Sequence, residues 1–451
     1  MMMIWRSALV GIWMGGVCAL HAATIVPLPP APKVPSARAE PLPPSPISDV
    51  PGTQLTWEEC VRLATKLNPD LQSSREQVIN SDAVRMGAYS ALYPQISLSF
   101  GDTRTYAGAN LAAPSNYATA FAEQITVSQL IFDGFATKGN IDKARAQLNL
   151  AFASLDNQKA TVSFNLKSSF AQLIYAQKLI KISENVAEIR KGNARLVRLL
   201  YEGGSEDKGD MQLTQANLDQ ALYNLDQAVR TRDLSVIQLL VYIGEDLPKP
   251  LLGEGELVTN QLPVMPDFNK LAVLTPTYFE NRARVDAAAA GLTIANSGWY
   301  PNITATADAT RGDNQFPLKN HGWSAGFAVT YPLFEGGATY FDVKAANATL
   351  RQSLDNLRSG TNDSALTLAQ MFKNMVDQED NVRIQQELLD ATALRYKIAE
   401  ADYRNGLMSF QDFNSITDDY VGQQQTLLSA QLSAVVAEAS WEEARGIGAI
   451  P

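Results

Sequence analysis

Residues of the types that do covalent or metal chemistry are scarce in this chain. It has two histidines, His21 and His321, and two cysteines, Cys18 and Cys60. An enzyme needs a nucleophile, a base and a stabilising group in mutual reach, or a set of metal ligands. Neither a His-x-x-x-His pair nor a glycine-rich phosphate loop occurs, so no catalytic residue, cofactor site or metal site is expected. Cys60 by itself reads as a small apolar helix residue. The formal net charge is -10, which argues against nucleic acid, because neutralising phosphates takes clustered Lys and Arg. The polar chemistry that remains belongs to carboxylates and aromatic rings at recurring positions.

Those positions recur because the chain is duplicated. Pro69, Arg75, Val78, Tyr93 and Pro94 return 207 positions later as Pro276, Arg282, Val285, Tyr300 and Pro301. Phe132, Gly134, Tyr201, Gly204 and Asp210 return 202 positions later as Phe334, Gly336, Tyr403, Gly406 and Asp412. One loop therefore differs in length between the halves. Solenoid units run about 20–50 residues, so this is a duplicated half-molecule.

The elements that position these residues follow from local signals. Arg6, then an apolar run over residues 8–19, marks residues 1–23 as an export signal peptide. Residues 24–51 are proline-rich, an extended spacer. The first repeat covers 52–250, a connecting segment 251–270 and the second repeat 271–448. Thr56 with Glu59 three residues on is a capping pattern that opens a helix. Asn68 before Pro69 breaks it, and Tyr93-Pro94 stops the next one.

Strands come after each Tyr-Pro. Gln95 to Phe100 alternates polar and apolar, and residues 117–130 return. In the second half Ile303, Ala305, Ala307 and Ala309 alternate with Thr304, Thr306, Asp308 and Thr310, and Trp323, Phe327 and Val329 alternate with small residues. Strands of about 9–11 residues with aromatic ends suit a bilayer-spanning barrel. No segment after the leader has 18 consecutive apolar residues, so any membrane crossing is by strands. Asp102 and Asp308 are expected on polar faces, pointing into a lumen. Trp323 and Tyr331 are expected at the aromatic girdles.

A proline-free stretch follows each strand pair, residues 134–201 and 336–403, about 100 Å of helix at 1.5 Å per residue. Leu179, Ile182, Val186 and Ile189, and later Ile384, Leu388, Ala391, Leu394 and Ile398, fall at three- and four-residue steps, the coiled-coil period. Turns at Gly203-Gly204 and Asn405-Gly406 reverse the chain. Return helices carry Leu218, Leu222 and Leu225, and Leu427, Ala430, Ala434, Ala437 and Trp441. Each half ends in a long antiparallel hairpin.

Four strands cannot close a barrel, and an open edge cannot sit in lipid because its N–H and C=O groups would be unpaired. Single-chain bacterial barrels begin at eight strands. Two copies would give a narrow filled barrel and three a twelve-stranded one.

In these features the chain resembles the TolC-like outer membrane efflux family. The resemblance rests on the duplicated helix–Tyr-Pro–strand order, the junctions Leu130-Ile-Phe-Asp-Gly134 and Pro332-Leu-Phe-Glu-Gly336, and the turn Tyr403-Arg-Asn-Gly406 followed by Asp412. It covers about residues 52–448. What it implies is a mainly α fold with a transmembrane β-barrel portion, a homotrimer whose α-barrel is continuous with a twelve-stranded β-barrel. It implies an outer-membrane exit channel reaching into the periplasm, within a tripartite efflux or secretion system. The implied partners are outer-membrane lipid, a periplasmic adaptor (membrane fusion) protein and an inner-membrane pump of the RND or ABC type. Type I protein secretion is the alternative cargo. A periplasmic coiled-coil scaffold would account for the helices but not for the strands.

The resemblance also assigns residues. Asp412 falls at a pore-facing carboxylate of the gate, where three copies would form an acidic ring favouring cations; as a first-turn carboxylate it also reads as a helix cap. The next family carboxylate position is Ser415 here. Tyr403 and Asp210 lie where relatives tie neighbouring hairpins together, and Met408 stands where some relatives have Arg. Gly204 and Gly406 permit the reversals and sit where adaptors dock.

Overall fold

The described residues of a computed structural model are 53–108, 116–245, 251–259 and 263–451. The expected signal peptide, Cys18 and the proline-rich spacer lie outside them. β1 (Thr53–Thr56) runs into α1 (Trp57–Leu67), whose first turn is held by Thr56 Oγ1 accepting from the Glu59 N–H at 3.3 Å. The capping pattern is used from one side: the Glu59 carboxylate takes Arg62 at 3.2 Å. Asn68 closes α1 and opens α2 (Pro69–Ala88). Its extended backbone, φ -61° and ψ 121°, is the conformation a following proline imposes. Asn68 accepts from Leu71 N at 2.9 Å and donates to the Tyr242 carbonyl at 2.8 Å, so this buried amide is satisfied on both sides.

The chain continues through β2 (Gln95–Ala107), β3 (Asn116–Asp133), α3 (Ala136–Glu202), α4 (Lys208–Ile243), β4 (Leu251–Glu254), α5 (Phe268–Ala272), α6 (Pro276–Asn296), β5 (Asn302–Asp313), β6 (Asn320–Thr330), α7 (Ala338–Arg404) and α8 (Phe410–Ala444). α3 and α7 are each 67 residues long, about 100 Å. Four strands form one antiparallel sheet in the order β2-β3-β5-β6. β3 is longer than β6 because it is paired on both sides; its last residues, Phe132 and Asp133, reach Ile303 and Asn302 past a bulge at Ile131.

β1 and β4 pair in parallel. This small sheet lies partly in the stretch expected to be a connecting segment, and four-residue strands carry too little periodicity to announce it. Leu55 and Leu251 bury against Leu166 and Leu173 of α3 and Leu239 and Leu240 of α4, the largest apolar core of the molecule.

The long helices pack in the order α4, α3, α8, α7. The α4 seam is made of small side chains seven residues apart, Thr214, Ala221, Ala228 and Ser235, all buried, so the helices approach closely; the expected leucines flank that line. On α8, Leu427, Ala430, Ala434, Ala437 and Trp441 are buried as expected. On α7 the expected stripe is not the seam. Ile384, Leu388, Leu394 and Ile398 are 45–61% exposed, and the contact with α8 runs instead through Tyr396, Ala399, Tyr403, Phe413 and Ile416. A helix with two apolar stripes does not declare which one meets its own hairpin partner.

Candidate functional site

The tip of the molecule is built from two glycine turns and two helix starts. Gly204 has φ +79° and Gly406 φ +70°, and a Cβ added to either would meet nothing within 4 Å. The requirement for glycine is therefore conformational: left-handed backbone costs other residues about 1–2 kcal/mol. Both glycines are exposed at the turns. After them, Asp207 caps α4 by accepting from Asp210 N at 2.9 Å. Ser409 caps α8 by accepting from Asp412 N at 3.2 Å, and its hydroxyl donates back to the Asp412 carboxylate at 2.6 Å. Asp210 and Asp412 thus hold equivalent first-turn positions. Exposed Asp412 also fronts a groove lined by Ser409, Ser415 and the uncovered apolar residues Leu394, Ile398 and Leu407.

Tyr403 joins the two turns. It is 3% exposed, its ring stacks on Phe413 with centroids 4.6 Å apart and planes at 8°, and its hydroxyl donates to Glu206 Oε1 at 2.9 Å. Burial, then the hydrogen bond to Glu206, then the Glu206 and Asp210 charges hold this phenol well above the usual tyrosine range. Within the chain the hydroxyl's partner is Glu206, and Asp210 contributes only its nearby charge. Glu206 was not legible in the sequence: Glu206, Asp207 and Asp210 crowd one turn, and only the path of the chain selects among them. Met408 packs into the apolar cluster around Phe410 and Phe413, so no ion pair stands at its position.

The sheet separates two faces by register. Ser97, Thr126, Asp308 and Ser324 lie on one rung and one face. Thr126 Oγ1 and Gln124 Nε2 donate to Asp308 Oδ1 at 2.6 and 2.9 Å. From that rung to the loop end, Asp308 is the only ionisable side chain on the polar face among the described residues. The other face carries Ile96, Leu98, Ile125, Val127, Phe327 and Val329, then a charged rung of Glu123, Arg311 and His321. Asp102 belongs to this apolar face. It pairs with Phe121, which pairs with Asp313, so the expectation that it points into a lumen is corrected. Its parity with Ile96, Leu98 and Phe100 decides the matter, since side chains alternate strictly along a strand, and its repeat counterpart is Ala309 on the same face.

Trp323 lies on the apolar face one rung inside the charged row, and Tyr331 follows β6 toward the helices; they are 83% and 52% exposed. They are eight residue steps apart, about 27 Å at 3.3–3.4 Å per residue, close to the ~25 Å apolar band of a membrane barrel. A second aromatic group, Phe132, Phe135 and Tyr300, packs edge to face at the strand-to-helix seam. No described helix is long and apolar enough to cross a membrane.

The fold is that of an outer-membrane channel protomer. It superposes on the Campylobacter jejuni CmeC outer membrane channel with a TM-score of 0.77 at 16% identity, covering 86% of this chain and 85% of that one. The outer membrane efflux protein family profile matches residues 60–245 and 276–446, and the chain belongs to this family. It is 23% identical over 398 residues to the outer membrane efflux protein BepC of Brucella suis biovar 1, covering 85% of this chain and 83% of that protein. It is 23% identical over 470 residues to the antibiotic efflux pump outer membrane protein ArpC of Pseudomonas putida, covering 95% and 93%. Family and fold are those of channel proteins, not of enzymes.

Proposed function

We propose that this protein is the outer-membrane exit channel of a tripartite efflux system, closed by three copies of the chain. The observation that carries this reading is that one chain leaves two different sides unfinished. β2 and β6 each have one unpaired edge among the described residues. The outer helices match them: α4 exposes Leu213, Leu222 and Tyr223, and α7 exposes Ile384, Leu388 and Leu394. Two unlike surfaces joined head to tail generate a ring, and three copies of four strands reach twelve, within the range of membrane barrels. The polar face with Asp308 lines the lumen and the apolar face meets outer-membrane lipid. The helices extend the conduit through the periplasm.

In this reading the tip is the gate. Asp412 supplies an acidic ring, Tyr403 with Glu206 holds the two hairpins of a chain together, and Asp210 adds to the local negative field. Gly204 and Gly406, exposed at the far end, offer backbone to a periplasmic adaptor, which links the channel to an inner-membrane pump. The test is single-channel recording of the purified mature protein in a planar bilayer, with its mass measured in the same detergent. Defined conductance steps from a three-chain particle are expected. A folded particle that never conducts would overturn the channel reading.

A further inference from the structure

A cleft of about 470 Å³ lies where α3, α7 and α8 meet, above the tip. α3 and α7 form its walls and α8 its floor, so one chain builds all of it. On α7 it is lined by Leu389 and Ala393, which project about a third of a turn or more away from the Leu394 and Ile398 stripe beside Asp412. It is therefore a separate site from the groove at the gate. Its size falls in the range of small-molecule pockets.

Its floor contains Gln424, 9% exposed, whose Nε2 is buried and finds no acceptor. A buried amide donor left unsatisfied keeps its full desolvation penalty, and native side chains so placed call for a partner. On the α3 wall stand Lys178 and Lys181; neither forms an ion pair among the described residues. Leu389, Leu427 and Leu428 supply an apolar surface beside these donors. The one carboxylate, Asp390 on the α7 wall, already accepts from Gln386 Nε2 at 3.1 Å.

We infer that this cleft binds an amphipathic organic anion, its acceptor oxygens on Gln424 and the two lysines and its apolar body against the leucines of α7 and α8. Two lysines and an unsatisfied amide donor set beside hydrocarbon fit that class. The bound molecule would touch both hairpins of the chain at once. The inference does not depend on the channel reading, and its test reads binding alone.

Ala393→Cys places a thiol in the cleft, while native Cys60 is buried and silent. Its alkylation by iodoacetamide is timed in the assembled mature protein with naphthalene-2-sulfonate, and with the neutral naphthalene-2-sulfonamide. The sulfonate is expected to slow alkylation at least fivefold at saturation and the sulfonamide to have little effect. Adding Lys178→Gln and Lys181→Gln should weaken protection about tenfold. Gln424→Leu, which keeps the floor filled, should weaken it severalfold while leaving the unprotected rate unchanged. Equal protection by the sulfonamide, undiminished protection without the lysines, or an introduced thiol already unreactive because another copy covers it would each overturn the proposal.

Discussion

The hydroxyl of Tyr403 and the carboxylate of Glu206 meet at 2.9 Å although 197 residues separate them. This bond ties the end of the second long helix to the turn of the first hairpin, with the Tyr403 ring fixed from behind by Phe413. Everything that opens the tip by moving one hairpin past the other has to break it.

Tyr403→Phe keeps the ring stack and removes only the bond. Its cost is expected near 1 kcal/mol, low for a charged acceptor because Glu206 is only partly buried. Glu206→Gln, which still accepts, should cost less than Glu206→Ala. Conductance should rise in the order wild type, Glu206→Gln, then Glu206→Ala and Tyr403→Phe; equal conductance in all four would remove the tether from the gate.

The raised Tyr403 pKa fixes a direction with pH. In the unfolded chain the phenol ionises near its ordinary value of 10.0, whereas in the folded protein it stays protonated to higher pH. The stabilisation is therefore fully present below pH 10 and is lost as pH climbs from 10 toward the folded value. Ultraviolet titration of the native protein against Tyr403→Phe should show one late-ionising tyrosine missing from the variant. A missing transition near pH 10 would contradict the burial and the bond.

Two substitutions separate the two roles proposed for Asp412. Ser409→Ala removes the cap of α8, at a cost of about 1 kcal/mol, and leaves the carboxylate in place, so cation preference should persist. Asp412→Asn keeps a side chain that can pair with Ser409 and removes the charge, so cation preference should fall. Reversal potentials in a salt gradient read both; unchanged selectivity in Asp412→Asn would leave the residue as a cap alone.

Gly204 and Gly406 can be tested by conformation rather than by size. Asn tolerates left-handed backbone better than Ala, so Gly406→Asn should restore most of the stability that Gly406→Ala loses. If an adaptor reads the bare backbone, neither variant should support efflux in cells lacking the native gene. Efflux that tracks thermal stability across the two variants would instead make the glycines structural only.

Cys60 reports on the core beneath the small parallel sheet. Burial first, and the neighbouring Glu59 charge second, push its thiol from 9.0 up to about 12. Since the thiolate is the reactive form, alkylation at pH 8 should run roughly a thousandfold slower than in denatured protein. Prompt labelling of the native protein would mean that the core around Leu55, Leu166 and Leu239 opens readily.

The sequence alone determined what period, spacing and backbone chemistry can determine. The residue before Pro69 had to leave the helix, the proline-free runs had to be long helices, and glycine had to stand where the chain reverses at positive φ. Strand alternation even carried the face of Asp102, through its parity with Ile96 and its repeat counterpart Ala309. Only the tertiary structure decided which carboxylate Tyr403 finds, which of two apolar stripes on α7 meets α8, that four-residue strands 198 positions apart pair in parallel, and that Gln424 lies buried without an acceptor. The reason is physical: helix and strand periods record a residue's direction relative to its own element, while hydrogen-bond partners and burial depend on which other element arrives there, and neighbours far apart in the chain leave no periodic trace.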